Sequence, residues 1–188
     1  MNISDQLSYC RLAAAPVAAW LAAAGQRDAF FILLGLSLLT DLVDGPLARW
    51  LGQESRLGAK LDTIADACTL LAGIFGLFIF EGHNLGSERA WLYLFLASYA
   101  AAALASLAKF GGLPAYHLYL SKTAAFCAAV FFAWLYLIDY SRQIFLAVVV
   151  LGILANIESL LVTLRLRRFR TDITSIFAAG RHARDDDS

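Results

Sequence analysis

Two neighbouring stretches decide the reading: Asp28 to Trp50, DAFFILLGLSLLTDLVDGPLARW, and Gly58 to Phe80, GAKLDTIADACTLLAGIFGLFIF. Each is long and apolar enough for a helix crossing ~30 Å of hydrocarbon. Yet they carry four carboxylates in two pairs, Asp41 with Asp44 and Asp62 with Asp66. Spacings of three and four residues put both acids of a pair on one helix face, roughly 5–6 Å apart at Cβ. Acids inside apolar helices are costly and mark function unless a neighbour satisfies them.

Composition sets the solvent. The chain has 188 residues, 60% of them hydrophobic and 16% charged, with a mean hydropathy of +0.66. That is too apolar for a water-soluble domain, which must maintain a polar surface. An integral membrane protein is expected. Fifteen basic and fifteen acidic side chains give zero formal net charge, which offers no argument for a nucleic-acid partner, and none is expected. The N-terminus lacks a basic leader and an evident cleavage site, so no removable signal peptide is expected. Cys10, Cys68 and Cys127 lie far apart in apolar runs and read as buried thiols, with neither metal nor disulfide spacing.

Six apolar segments can be marked, at 8–24, 28–50, 58–80, 89–109, 118–138 and 143–165, with short connections. They predict an all-α membrane protein, a six-helix transmembrane bundle in which residues 1–170 form a single domain and 171–188 a solvated C-terminal tail. Basic residues set the orientation. With the N-terminus inside, the inner face holds Arg11, Arg49, Arg56, Lys60, Lys109, Lys122 and the basic residues from Arg165 onward. The outer face then holds only Arg27, Arg89 and Arg142. Both termini are thus expected to be cytoplasmic, and the four acids flank an inner loop.

Four acids with no histidine or cysteine beside them form a hard oxygen site, suited to Mg²⁺, Mn²⁺ or Ca²⁺. Two such pairs can hold one or two ions, the arrangement that stabilises attacking and leaving oxygens in phosphoryl transfer. Gly45, Ala48 and Gly58 allow close approach of a ligand or backbone, and Pro46 is expected to loosen its helix. Glu158 and Asn156, inside the sixth segment, need partners; Lys122 and Arg11 are the candidates for Glu158. Trp20, Trp91 and Trp134 read as lipid-facing or interfacial anchors. A small cation transporter is the competing reading of the acids. It would favour acids at the bilayer midplane and repeat symmetry, whereas these acids gather at one face and no repeat is evident.

The pattern Asp41-x2-Asp44-Gly45-x2-Ala48-Arg49-x8-Gly58-x3-Asp62-x3-Asp66 resembles the signature of the CDP-alcohol phosphotransferase family at all eight fixed positions. The resemblance implies metal-dependent transfer of a phosphatidyl group from a CDP-lipid, CDP-diacylglycerol, to a small alcohol with release of CMP. It implies Asp41, Asp44, Asp62 and Asp66 as ligands of Mg²⁺ or Mn²⁺, with Asp66 also the general base. Gly45, Ala48, Arg49 and Gly58 would line the nucleotide pocket. Arg11, Lys109 and Lys122 are the candidates for binding the acceptor. A homodimer in a bacterial inner membrane, its active site facing the cytoplasm, is implied as well. Asn2, Arg11 and Pro16 echo the phosphatidylglycerophosphate synthases of this family, which points to glycerol 3-phosphate as acceptor. Those enzymes usually follow the last two acids with Pro and Lys, and here Thr63 and Ala67 stand there. Inositol phosphate, serine and other alcohols therefore stay open.

Overall fold

The structure is a computed structural model that describes residues 3–51, 56–114, 116, 118–166 and 173–176, with the side chains of 3–5, 42–51, 56, 57, 59 and 60 outside that description. Six α-helices account for nearly all of it: α1 Ile3–Ala23, α2 Arg27–Leu51, α3 Arg56–Leu85, α4 Arg89–Phe110, α5 Tyr119–Leu137 and α6 Arg142–Arg165. No strand occurs among the described residues. Three stretches there are long and apolar enough to cross a membrane: Leu61–Phe110, which holds most of α3 and all of α4, then Tyr119–Leu137 and Arg142–Arg165.

The helix ends follow local chemistry. Gly25, at φ +72°, takes the left-handed conformation that ends α1. Its amide donates to Ala22 O, and that of Gln26 to Leu21 O, so the closing carbonyls are satisfied. Gly111, at φ +70°, ends α4 in the same conformation, donating to Leu107 O. The third helix runs further than expected. Glu81 to Leu85 continue α3, and the loop predicted from Glu81 shrinks to the 3₁₀ turn Gly86–Glu88. The reason is that Glu81 is satisfied in place, accepting from Asn84 Nδ2 at 2.7 Å and pairing with Arg27 at 3.5 Å. A carboxylate with partners no longer forces the chain out of the helix.

Contacts gather the chain into two compact units, residues 1–86 with 129–141 and residues 87–128 with 142–188. In the first, α1 packs on both α2 and α3, and α2 on α3. The inward stripe of α1 is Ser8, Arg11, Ala15, Ala18 and Ala22, all buried. Their three- and four-residue spacing keeps them on one face, and the alanines let backbones approach closely. Gly76 of α3 answers the same need: a Cβ there would lie 2.0 Å from Cζ of Phe30. Phe30 in turn packs edge-on against Phe31, with centroids 5.1 Å apart. The guanidinium of Arg27 lies over the Phe31 ring and donates to Leu135 O.

In the second unit α4 packs on α6. Gly152 sits against Phe95, where a Cβ would approach the ring to 2.6 Å. Asn156 Nδ2 donates to Ser98 Oγ at 3.0 Å. Glu158 finds neither of its expected partners: its Oε1 accepts the backbone N–H of Ile176 at 3.1 Å. Arg11, the other candidate, is committed to carboxylates elsewhere. The tail also departs from expectation at its start. Ile173 is buried with Leu118, Val162 and Leu166, and Tyr119 N–H donates to Thr174 O. Apolar Ile173 and Ile176 have core to gain, which a purely solvated tail would forgo.

Candidate metal and nucleotide site

Three helices bring the charged centre together. Arg11 projects from α1, Asp41 from α2, and Asp62 and Asp66 from successive turns of α3. The Arg11 guanidinium bridges all three acids. Nη1 donates to Asp66 Oδ1 at 2.6 Å and also to Asp41 Oδ1, while Nη2 donates to Asp62 Oδ1. Ser8, one turn before Arg11, adds a longer contact to Asp62 at 3.5 Å. Arg11, a candidate for the acceptor and for Glu158, is thus engaged by the three site carboxylates.

One oxygen from each of Asp41, Asp62 and Asp66 lies within 4.8 Å of the others. Hard carboxylate oxygens at this spacing form a donor set that suits Mg²⁺ or Mn²⁺. Accessibility gives the site a direction. Arg11 is 2% exposed, whereas the three carboxylates are 34%, 43% and 48% exposed. The cation forms a floor, and the acids open outward from it.

The remaining expected residues divide. Gly58 is buried in the first turn of α3. Asp44, Gly45, Ala48 and Arg49 fall on α2 beyond Asp41, and α2 runs helical through Pro46 to Leu51; their side chains lie outside the described residues. Lys109 and Lys122 belong to the second unit. There Lys109 Nζ donates to Thr163 O at 3.0 Å and Leu164 O at 2.8 Å, closing the end of α6. Basic groups suit that pole of a helix. Lys122 is exposed.

Sequence reasoning missed the hydroxyls around the acids. Ser8, Ser37 and Thr69 are all buried, each within one helical turn of Arg11, Asp41 or Asp66. Ser37 Oγ donates to Leu33 O at 2.9 Å, whereas Thr69 Oγ1 finds no hydrogen-bond partner among the described residues. The signal was present as a hydroxyl three or four positions from a charge, the spacing of one helix face. Small hydroxyls are common in apolar helices, so the pattern alone does not separate site from packing.

Curated relatives include CMP-forming cardiolipin synthases. That of Streptomyces coelicolor is 39% identical over 83 residues, which is 41% of this chain and 39% of the relative. The Homo sapiens protein is 44% identical over 69 residues, and that of Rattus norvegicus 40% over 66, each covering 35% of this chain and 22% of the relative. The chain therefore matches well under half the length of these relatives. No solved structure matches it. The CDP-alcohol phosphatidyltransferase family model, by contrast, matches residues 1–157. With most of its length matched, this chain is an integral membrane member of the CDP-alcohol phosphatidyltransferase family.

Proposed function

We propose that the protein transfers a phosphatidyl group from CDP-diacylglycerol to an alcohol and releases CMP, with Mg²⁺ or Mn²⁺ held by Asp41, Asp44, Asp62 and Asp66. The observation that carries this is the convergence of carboxylate oxygens from α2 and α3 within 4.8 Å, in a chain of this family. One or two ions bound there would neutralise the pyrophosphate and improve CMP as a leaving group. Gly45, Ala48, Arg49 and Gly58 line the nucleotide pocket in this reading. Asp66 takes the proton of the acceptor hydroxyl as its oxygen attacks phosphorus. The new P–O bond forms while the bond to CMP breaks, and CMP leaves with the electron pair. Holding donor and acceptor in line supplies much of the rest of the rate.

The acceptor in the first reading is phosphatidylglycerol. Cardiolipin carries two phosphatidyl groups on one glycerol, so its CMP-forming synthesis needs a phosphatidylglycerol hydroxyl, and the curated relatives carry that name. Thr63 and Ala67, in place of Pro and Lys, favour this reading over glycerol 3-phosphate. Glycerol 3-phosphate, the acceptor that Asn2, Arg11 and Pro16 pointed to in the sequence, becomes the second reading. Lys109 and Lys122 are the candidates for a phosphate on such an acceptor; Lys122 is exposed, and Lys109 Nζ keeps one N–H after its two bonds to α6.

Residues 1–170 work as one six-span domain in this proposal, as a homodimer in a bacterial inner membrane with both termini and the acids on the cytoplasmic side. The basic-residue bias supports that orientation. Purified protein in nanodiscs with Mn²⁺ and CDP-diacylglycerol should release CMP when phosphatidylglycerol is supplied. Release with glycerol 3-phosphate but not phosphatidylglycerol would select the second reading. No release with either, or with inositol phosphate or serine, would count against the transferase reading.

A further inference from the structure

We propose that Arg11 is the resident counter-cation of the carboxylate cluster: it keeps Asp41, Asp62 and Asp66 together when no divalent ion is bound, and by partly neutralising the same acids it holds down their affinity for that ion. This rests on the reading of the acids as a divalent-ion site. Three acids from two helices converge on a single guanidinium that reaches them from a third helix. Carboxylate oxygens gathered within 4.8 Å repel one another unless a cation lies among them. Arg11 supplies that cation from inside the protein, at 2% exposure, where an arginine stripped of its acids would be an uncompensated buried charge.

The geometry lets a second cation act on the same groups. Arg11 approaches from the buried side, and the acids stay a third to a half exposed on the other. An ion arriving from the open side meets carboxylates whose charge the guanidinium has already drawn on. The two cations repel each other across shared ligands, and no side chain has to leave for this to happen. Arginine suits the task because it stays charged at every working pH and spreads its donors over a planar fork, which a lysine does not. A guanidinium serving only as a staple between helices predicts the opposite sign, because its loss would loosen the ion's ligands.

The sign is measurable with the full chain in nanodiscs, by Mn²⁺ titration followed by electron paramagnetic resonance, and by thermal unfolding in EDTA and in Mn²⁺. Arg11→Gln should bind Mn²⁺ about tenfold more tightly than the parent, because a positive charge leaves the shared acids. It should unfold at a lower temperature in EDTA and gain a larger rise in Tm from Mn²⁺. Arg11→Lys keeps the charge and should hold Mn²⁺ affinity within about threefold. Equal or weaker Mn²⁺ binding by Arg11→Gln overturns the proposal. If that variant folds only with Mn²⁺, the loss of metal-free stability is seen in full, which supports it. If it folds in neither condition, Arg11→Lys carries the test: affinity held within that range supports the proposal, and lost Mn²⁺ binding overturns it. Asp62→Asn separates this outcome from the underlying reading. Should the parent bind no Mn²⁺, or Asp62→Asn bind as well as the parent, the ion site itself is wrong. Should only Arg11→Gln miss its prediction, the ion site stands without the counter-cation role.

Discussion

Each of the two units places polar groups inside apolar helices, and they settle them differently. In the second unit several polar groups close on one another or on backbone. Asn156 meets Ser98, Tyr116 meets Thr163, Lys109 meets the last carbonyls of α6, and Glu158 meets the amide of Ile176. In the first unit three carboxylates share one described guanidinium and stay open to the outside. Neutral pairs and backbone bonds add modest stability and fix packing. An excess of one charge costs stability, and a ligand of opposite charge can relieve it. The comparison teaches where among such helices chemistry is held, and it can be broken by mutation.

The largest effect should fall on the acids. Asp66→Asn is expected to lower CMP release at least about a hundredfold, since it removes both a ligand charge and the proposed base. The protein should still fold, as judged by circular dichroism and gel filtration in detergent. Activity near the parent's would mean that the charge imbalance of the first unit is not catalytic.

Packing at the small residues comes next. A Cβ at Gly76 would lie 2.0 Å from Phe30 Cζ, and Phe30 is held by Phe31 and Phe80. Gly76→Val is therefore expected to cost about 1–3 kcal/mol of stability through overpacking. A lower midpoint in thermal unfolding would register this, with activity per folded molecule kept. If Gly76→Val unfolds like the parent, the close α2–α3 approach at Phe30 is not needed.

The smallest effects should come from the second unit. Lys109→Met should cost about 1–2 kcal/mol, the worth of charge-assisted bonds to the carbonyls of α6. Asn156→Leu should cost about 0.6 kcal/mol, the usual value of a hydrogen bond between membrane helices. Neither should change the acceptor KM more than about threefold, because both side chains are satisfied within the fold. A tenfold rise in KM for Lys109→Met alone would instead draw the lysine into acceptor binding.

Much of this was legible in the sequence. The six helices fall where the apolar runs predict helices, and three apolar stretches are long enough to cross a membrane, whose hydrocarbon allows little but helix. The acids of α2 and α3 were readable from their spacing, since that spacing fixes a helix face. What escaped depended on contacts between residues far apart in the chain. The three-acid grip of Arg11 spans thirty to fifty-five positions, and no periodicity encodes it. Glu158 was expected to need a charged partner, but its Oε1 accepts a backbone amide 18 residues on, and its buried Oε2 has no hydrogen-bond partner among the described residues. The packed start of the tail escaped for the same reason. Ile173 and Ile176 were read as part of a polar end, and their burial depends on a groove made by Leu118, Val162 and Leu166. The acceptor escaped too, because the signature concerns the nucleotide and the ion that the family shares.

The central claim is that Asp41, Asp62 and Asp66 form a divalent-ion site at which a CDP-lipid reacts. The most direct measurement is CMP release from CDP-diacylglycerol by EDTA-treated protein, titrated with Mn²⁺, for the parent and for Asp62→Asn. The account predicts that the stripped parent is inactive, that Mn²⁺ restores it saturably, and that Asp62→Asn stays inactive or needs far more Mn²⁺. Full CMP release in EDTA, or the same Mn²⁺ dependence in Asp62→Asn, would contradict it.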